Sequence, residues 1–102
     1  MLALRPNCEN CGIELLPHST DAMICSYECT FCKNCVDQIL NNVCPNCGGG
    51  FCSRPVRPSN NWKNNNCLKN DPASEKIVLK PVSKEQHDTF SRQIKNIAPE
   101  KR

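Results

Sequence analysis

Aromatic residues are scarce in this sequence, which has one tryptophan, one tyrosine and three phenylalanines among its 102 residues. The mean hydropathy of −0.55 is also low. A chain of this length and composition buries little apolar surface, so we expect that packing alone does not stabilise it. The ten cysteines are the candidates for the missing stabilisation.

Long apolar runs are absent as well. No segment approaches the roughly 18 consecutive apolar residues of a membrane helix, and residues 1–6 lack the basic start and apolar stretch of a secretory signal. We therefore expect a cytoplasmic protein with no membrane partner. In a reducing compartment cysteines bind metal more readily than they pair, so zinc is preferred over the alternative, a disulfide framework.

Acidic and basic residues are unevenly distributed along the chain. Residues 1–52 hold two basic and five acidic side chains, a net charge of −3, whereas residues 53–102 hold eleven basic and five acidic ones, a net charge of +6. Only the second half is basic. Any nucleic-acid partner is therefore expected at the C-terminal tail.

Eight of the ten cysteines form four closely spaced pairs, three of them C-x2-C and one C-x3-C. Such spacings let two sulfurs converge on one ion, and their repetition makes the pattern specific. The eight divide into two sets of four, which predicts two structural Zn²⁺ ions. The predicted ligands are Cys8, Cys11, Cys25, Cys29, Cys32, Cys35, Cys44 and Cys47.

Two complete four-thiolate sites leave no coordination position for water or substrate. We therefore expect no enzymatic activity and no small-molecule substrate. His18 is a conceivable further ligand, but the eight thiols already complete both sites.

Short segments around the cysteines predict a small zinc-stabilised α+β fold. Residues 21–24 predict a brief strand that leads to Cys25, and Phe31 is expected to fill the core beside a metal site. Apolar side chains recur at helical spacing over residues 36–40, which predicts one short helix. This metal module is predicted to span residues 1–52.

The ligand order C-x2-C-x13-C-x3-C-x2-C-x2-C-x8-C-x2-C resembles the pattern of RING fingers, with Phe31 directly before the fifth ligand and a C-P-x-C pair at the end. RING domains are cross-braced, because ligand pairs one and three hold one zinc ion and pairs two and four hold the other. The resemblance implies Cys8, Cys11, Cys32 and Cys35 around one ion and Cys25, Cys29, Cys44 and Cys47 around the other. The alternative is two sequential sites. The short separation of Cys29 and Cys32 favours the interleaved order.

The first fifty or so residues, about half of the chain, resemble a small bacterial family of cysteine-rich proteins of unknown function, and residues 54–58 continue that family's ending. The resemblance lies in the segments Leu4–Cys8, Asp21–Cys32, Val43–Gly49 and Arg54–Pro58. It implies a bacterial, cytosolic, metal-binding protein and no established activity.

The region after the metal module is predicted to be a linker over residues 53–75, because it is rich in asparagine and proline. Trp62 is predicted to pack against the zinc module, with stacking on a nucleic-acid base as the alternative. Cys52 and Cys67 lie outside both metal sets. We interpret them as free thiols, with a redox-dependent crosslink as the alternative.

The basic C-terminal extension, residues 76–102, is predicted to contain a strand-like segment over residues 76–80 and one amphipathic helix. The sequence Ser83-Lys-Glu-Gln86 resembles a capping box, and the helix is predicted to run to about Ala98 before Pro99.

Three functions fit these features, in order of preference. The first is a structural zinc protein that serves as a protein-interaction adaptor. The second is a nucleic-acid-linked regulator that uses the basic tail. The third is a role like that of a RING-type ubiquitin ligase, or in thiol redox chemistry. The ligase reading ranks low because Glu9 and Asn10 occupy the position where the ligases' partner-binding surface has a bulky residue.

Overall fold

A three-stranded antiparallel sheet organises the first half of the chain in this computed structural model, which describes residues 1–102. Strand β1 (Ala22–Ile24) lies between β2 (Thr30–Cys32) and β3 (Cys52–Ser53). Met23 of β1 pairs with a residue of each neighbouring strand. The predicted strand over residues 21–24 is thus confirmed, and it leads directly to Cys25.

Strand β2 continues without a break into helix α1 (Lys33–Cys35) and then into a π-helical turn, Val36–Leu40. The Cys32 sulfur accepts a hydrogen bond from the backbone N–H of Cys35 and thereby caps the helix start. Asn41 ends the turn in the left-handed conformation, with φ of 55°. Val36 and Leu40 are buried, so the predicted apolar face packs into the core.

Cysteine is the commonest residue in the core. Eleven buried residues form the main cluster, and six of them are cysteines. Phe31 lies at its centre, 1% exposed, and contacts Phe51 edge to face with ring centroids 5.4 Å apart. This is the place predicted for Phe31. Free thiols provide less apolar contact than aromatic or branched side chains, so this cluster gains less from packing than a core of the same number of large apolar residues would.

Helix α2 (Lys84–Arg92) starts where the capping box predicts it, because Ser83 Oγ accepts a hydrogen bond from the backbone N–H of Gln86 at 3.3 Å. It ends six residues earlier than expected. After Arg92 the chain forms tight turns and then a short 3₁₀ helix, Pro99–Lys101. These turns reverse the chain so that the Arg102 guanidinium donates to backbone carbonyls near the core, which a straight helix to Ala98 would prevent.

Residues 76–80, predicted to be strand-like, lie in no strand. They attach instead to the N-terminal region by isolated hydrogen bonds, from Lys80 N to Glu9 O at 2.7 Å and from Asn7 Nδ2 to Val78 O at 2.9 Å. A ladder would need a neighbouring strand with a free edge, and none lies beside this segment.

The predicted packing of Trp62 on the metal module is wrong, since the side chain is 81% exposed. An asparagine-rich turn holds it there. Asn64 and Asn65 have positive φ, and the Asn61 side chain accepts a hydrogen bond from the Asn65 backbone N–H at 3.0 Å. Asparagine tolerates this backbone conformation, so the turn is stable without a contact from the indole.

The predicted linker also contains ordered contacts. Arg57 donates to the Asp71 and Leu2 carbonyls, and Cys67 is buried. The division of the chain at residues 52 and 75 stays a prediction.

None of the helices combines the length and the apolar composition that a membrane crossing requires.

Candidate metal centre

Four cysteines from two distant parts of the chain meet at one point. The sulfurs of Cys8, Cys11, Cys32 and Cys35 all lie within 4.8 Å of one another, and we call them the first group. They are the first and third pairs in chain order. The structure therefore has the interleaved grouping, because a sequential arrangement would have placed Cys8 and Cys11 with the second pair.

Local backbone geometry sets the position of each pair in the first group. A knuckle over residues 8–11 turns back on itself, with a hydrogen bond from Gly12 N to Cys8 O of 3.0 Å. Gly12 has φ of +80°, which only glycine adopts without strain. Cys32 ends β2 and Cys35 ends α1, so the change from strand to helix aims both sulfurs at the knuckle.

The second group is formed by Cys25, Cys44 and Cys47, whose sulfurs also lie within 4.8 Å of one another. Cys25 follows β1, and the other two flank a knuckle over residues 44–47 that Gly48 closes with φ of +79°. Cys29, the eighth predicted ligand, does not meet that distance. It is nevertheless buried, and its thiol interacts with those of Cys25 and Cys44.

Side-chain amides donate to sulfur in both groups. Asn10 Nδ2 lies 3.3 Å from Cys35 Sγ, and Asn46 Nδ2 lies 3.4 Å from Cys29 Sγ. Each asparagine precedes the second cysteine of a C-x-N-C knuckle and donates to a sulfur of the opposite pair. The sequence analysis missed these roles, although the repeated asparagine at this position was a visible signal. The Asn46 contact also connects Cys29 to the second group.

Backbone amides add further donors to sulfur. The N–H groups of Cys11, Cys35 and Gly49 approach the sulfurs of Cys8, Cys32 and Cys47 at 3.4 to 3.5 Å. Donors that converge on sulfur favour the thiolate over the thiol. This is the protonation state that a metal ligand requires.

Burial opposes ionisation of the same sulfurs. It raises the pKa of Cys35 and Cys44 strongly, and the negative charge of neighbouring thiolates raises it further. Burial likewise raises the pKa of Cys29 and Cys32. For Cys8 burial acts in the same direction, but backbone N–H donors outweigh it and lower the pKa. Several thiolates this close together need a cation among them, so the donor set fits metal ions.

Glu9 supports the first knuckle from below and is only 2% exposed. Its carboxylate accepts hydrogen bonds from Arg5 at 2.9 Å and from the backbone N–H of Thr30 in β2 at 2.5 Å. Glu9, one of the two residues between the first two cysteines, is therefore too buried to contribute to a partner-binding surface. Its buried role was not predicted from the sequence.

Arg54 is a second charged residue that the sequence analysis did not place in the structure. It is 4% exposed, and its guanidinium donates to the carbonyls of Arg5, Leu15 and Leu16. These bonds join the strand β3 region to the loop between the first and second cysteine pairs. Burial lowers the pKa of Arg54 from its ordinary value.

The other candidate ligands stay outside the two groups. Cys52 is exposed on β3, whereas Cys67 is buried away from the clusters. His18 is exposed and joins neither group. Cys52 and Cys67 thus lie outside both groups, as predicted, and their interpretation as free thiols stays a prediction.

Comparison with known proteins supports the resemblance found in the sequence. Residues 1–57 match the family model described as "Protein of unknown function (DUF1272)". An uncharacterized protein of Rhizobium meliloti (strain 1021), R02474, is 54% identical over 81 residues, which cover 79% of this chain and 89% of that protein. No solved structure matches the chain. Both cysteine groups lie within the matched residues. The chain thus belongs to the DUF1272 family of bacterial cysteine-rich proteins.

Proposed function

We propose that this protein is a structural zinc protein in which two Zn²⁺ ions hold the N-terminal half together, and that it acts as an adaptor for another protein in the bacterial cytoplasm. The observation that carries the proposal is the convergence of four sulfurs from residues 8–11 and 32–35 within 4.8 Å. Cysteines in a disulfide framework pair two by two. A cluster of four mutually close sulfurs is the arrangement of a tetrahedral metal site.

Zinc is the ion that this donor set favours among common metals. Four thiolates with no oxygen or nitrogen ligand are typical of structural Zn²⁺, and iron in a single four-sulfur site is the alternative. A closed sulfur sphere leaves no position for water, so the proposed role of the ion is structural. Its binding supplies roughly 10–16 kcal/mol of apparent free energy at neutral pH, enough to offset a core built mainly from thiols.

The adaptor role is supported by exposed aromatic side chains. Tyr27 is 74% exposed and Trp62 is 81% exposed, although the chain has only five Phe, Trp and Tyr residues. Tyrosine and tryptophan are enriched at protein interfaces because each combines a large apolar body with one polar atom.

Metal content is the decisive measurement. Native mass spectrometry of the purified chain, paired with elemental analysis, should find two zinc ions per chain and eight thiols protected from alkylation. A coloured protein with one iron ion per site would show that the bound metal is iron and not zinc. A metal-free folded chain, or one with disulfides among the eight cysteines, would contradict the proposal.

The grouping of ligands has its own test. We expect Cys8→Ser and Cys32→Ser to deplete the same ion, because their sulfurs belong to the first group. Cys44→Ser should deplete the other ion. Loss of different ions from the first two variants would contradict the interleaved scheme.

A nucleic-acid-linked role is the second candidate, and the exposure of Trp62 next to Lys63 favours it. An unpacked indole beside a basic side chain can stack on an unpaired base. Binding to single-stranded DNA or RNA should quench Trp62 fluorescence and weaken steeply as salt is added. Unchanged fluorescence, or binding that is insensitive to salt, would remove this candidate.

A further inference from the structure

The Asn10 side chain forms hydrogen bonds to two segments that lie far apart in the sequence. Its Nδ2 donates to Cys35 Sγ at 3.3 Å, and its Oδ1 accepts the backbone N–H of Val82 at 2.9 Å. One amide group therefore bonds to a sulfur of the first group on one side and to the C-terminal extension, residues 76–102, on the other.

The same short segment of the extension follows the first knuckle through neighbouring contacts. Lys80 N donates to Glu9 O at 2.7 Å, and the Leu79 side chain lies beside Gly12, where an added Cβ would meet it at 3.5 Å. All these partners lie within residues 7–12. The shape of that knuckle depends on the two sulfurs at its ends, so the segment binds a surface that the first group shapes.

Further along, the extension docks near the second group. His87 Nε2 donates to the Leu40 carbonyl at 2.8 Å, and Asn41 Nδ2 donates to Ser91 Oγ at 3.2 Å. The Phe90 and Ile94 side chains lie 3.8 Å from the position of a Cβ on Gly48. The extension thus spans both clusters, but only Asn10 contacts a sulfur and the extension at once.

We propose that Asn10 is a positioning residue that couples occupation of the first metal site to docking of the C-terminal extension. The inference rests on the proposed function. With the ion present, Cys35 is a thiolate and a strong acceptor for the Asn10 N–H, which fixes the amide so that its oxygen faces Val82. Without the ion the knuckle loses its anchor, and the extension loses the partners of Val78, Lys80 and Val82.

Coupling of this kind is reciprocal. If the ion strengthens docking of the extension, docking must strengthen retention of the ion by the same factor. The C-terminal half, although it contains no predicted ligand, is thereby part of what holds the first ion.

The chain offers a matched control for Asn10. Asn34 occupies the same position in its own C-x-N-C knuckle, but its side chain is exposed. Asn10→Asp removes the donor to Cys35 and keeps an oxygen that can accept from Val82, whereas Asn34→Asp makes the same chemical change in solvent. We expect Asn10→Asp to release zinc from the first site about tenfold faster than Asn34→Asp does, within the range seen for residues that orient metal ligands.

Two readouts separate this effect from a general loss of stability. In the cobalt-loaded full-length protein, Asn10→Asp should shift the thiolate-to-metal charge-transfer absorption, and Asn34→Asp should not. Equal zinc release and equal spectra for the two variants would overturn the inference. The proposed function would survive that result if both variants still carry two ions, whereas a wild-type protein without ions would overturn the proposed function and the inference with it.

The reverse direction of the coupling is tested with one exposed cysteine from each group, Cys11 and Cys47. Cys11→Ser weakens the first site and should accelerate hydrogen exchange of the Lys80 and Val82 amides at least tenfold. Cys47→Ser weakens the second site and should leave these two amides protected. Equal exchange at Lys80 and Val82 in both variants would overturn the coupling.

Discussion

At the scale of single residues, two buried charged side chains connect segments that lie far apart in the sequence. Glu9 and Arg54 are both less than 5% exposed, and both bond to backbone atoms from other segments. Neither residue belongs to a cysteine pair. Composition and spacing could not reveal them, because burial of a charge follows from tertiary contacts and not from local pattern.

Arg54→Met should destabilise the metal-loaded protein by about 3 kcal/mol. The change leaves the carbonyls of Arg5 and Leu15 without their donor and removes one of the two donors to the Leu16 carbonyl, and a hydrogen bond from a charged group contributes roughly 1.5–3 kcal/mol. Chemical unfolding followed by circular dichroism measures the difference. Arg92→Met, on the exposed side of α2, is the control and should change stability by less than about 0.5 kcal/mol.

Phe31→Ala should cost about 3–5 kcal/mol even with both ions bound, because it opens a cavity in the centre of the sulfur-rich cluster. It also removes the edge-to-face contact with Phe51. Thermal unfolding of the metal-loaded variant provides the measurement. A change below about 1 kcal/mol would show that the metal sites alone determine stability and that Phe31 is a spacer.

At the scale of elements, the sequence predicted the segments whose signals are local. The strand before Cys25, the helix after Cys35 and the start of α2 at Ser83 all depend on short-range spacing or capping, and all three are present. The end of α2 and the path of residues 76–80 depend on contacts with the first knuckle and with Gly48. Such long-range contacts leave no periodic trace, which explains why both predictions were wrong.

The interleaved grouping was predictable because the ligand order resembles that of RING fingers, and the resemblance implies cross-braced pairs. From the residues themselves, only the short separation of Cys29 and Cys32 favoured this order over two sequential sites. The position of Cys29 at the edge of the second group could not be predicted from that order, because spacing gives the order of the ligands and not their distances.

His87→Ala should loosen α2 without loss of metal. The buried imidazole donates to the Leu40 carbonyl at the end of the π-helical turn, and its removal takes away a hydrogen bond between α2 and that turn, although the carbonyl keeps the Val43 N–H as a donor. We expect a loss of about 0.5–1.5 kcal/mol, seen first as faster amide exchange in α2. His18→Ala changes an exposed histidine and should leave exchange in α2 as in the wild type. Equal exchange in the two variants would contradict a docking role for His87.

At the scale of the whole molecule, stability should depend on pH in a direction that reveals the metal. Burial raises the pKa of Cys35 and Cys44 above 9.0 in the metal-free chain. The free energy of unfolding would therefore be highest below pH 9.0 and would fall as the pH rises further, because these thiols ionise more easily in the unfolded chain. Metal binding reverses the direction of this pH dependence. Bound sulfurs must be thiolates, so protons compete with the ion and stability falls in acid.

We therefore expect the purified protein to lose both its ions and its fold as the pH falls from 7 to about 4, and to stay folded on mild alkalinisation. Circular dichroism and released zinc, measured along the same titration, should change together. A protein that is most stable in acid and unfolds only above pH 9 would contradict metal coordination.

The crossing of the two cysteine groups along the chain also orders the events of biosynthesis. The first group is complete once Cys35 has been made, and the second needs Cys47, yet Cys25 of the second group lies between the halves of the first. A nascent polypeptide that stops short of residue 35 can close neither cluster, and one that stops before residue 47 can close only one. If the two groups bind the proposed ions, the first ion can be captured before the second during translation, and a product that ends before residue 47 leaves the thiols of Cys25 and Cys44 without a complete site.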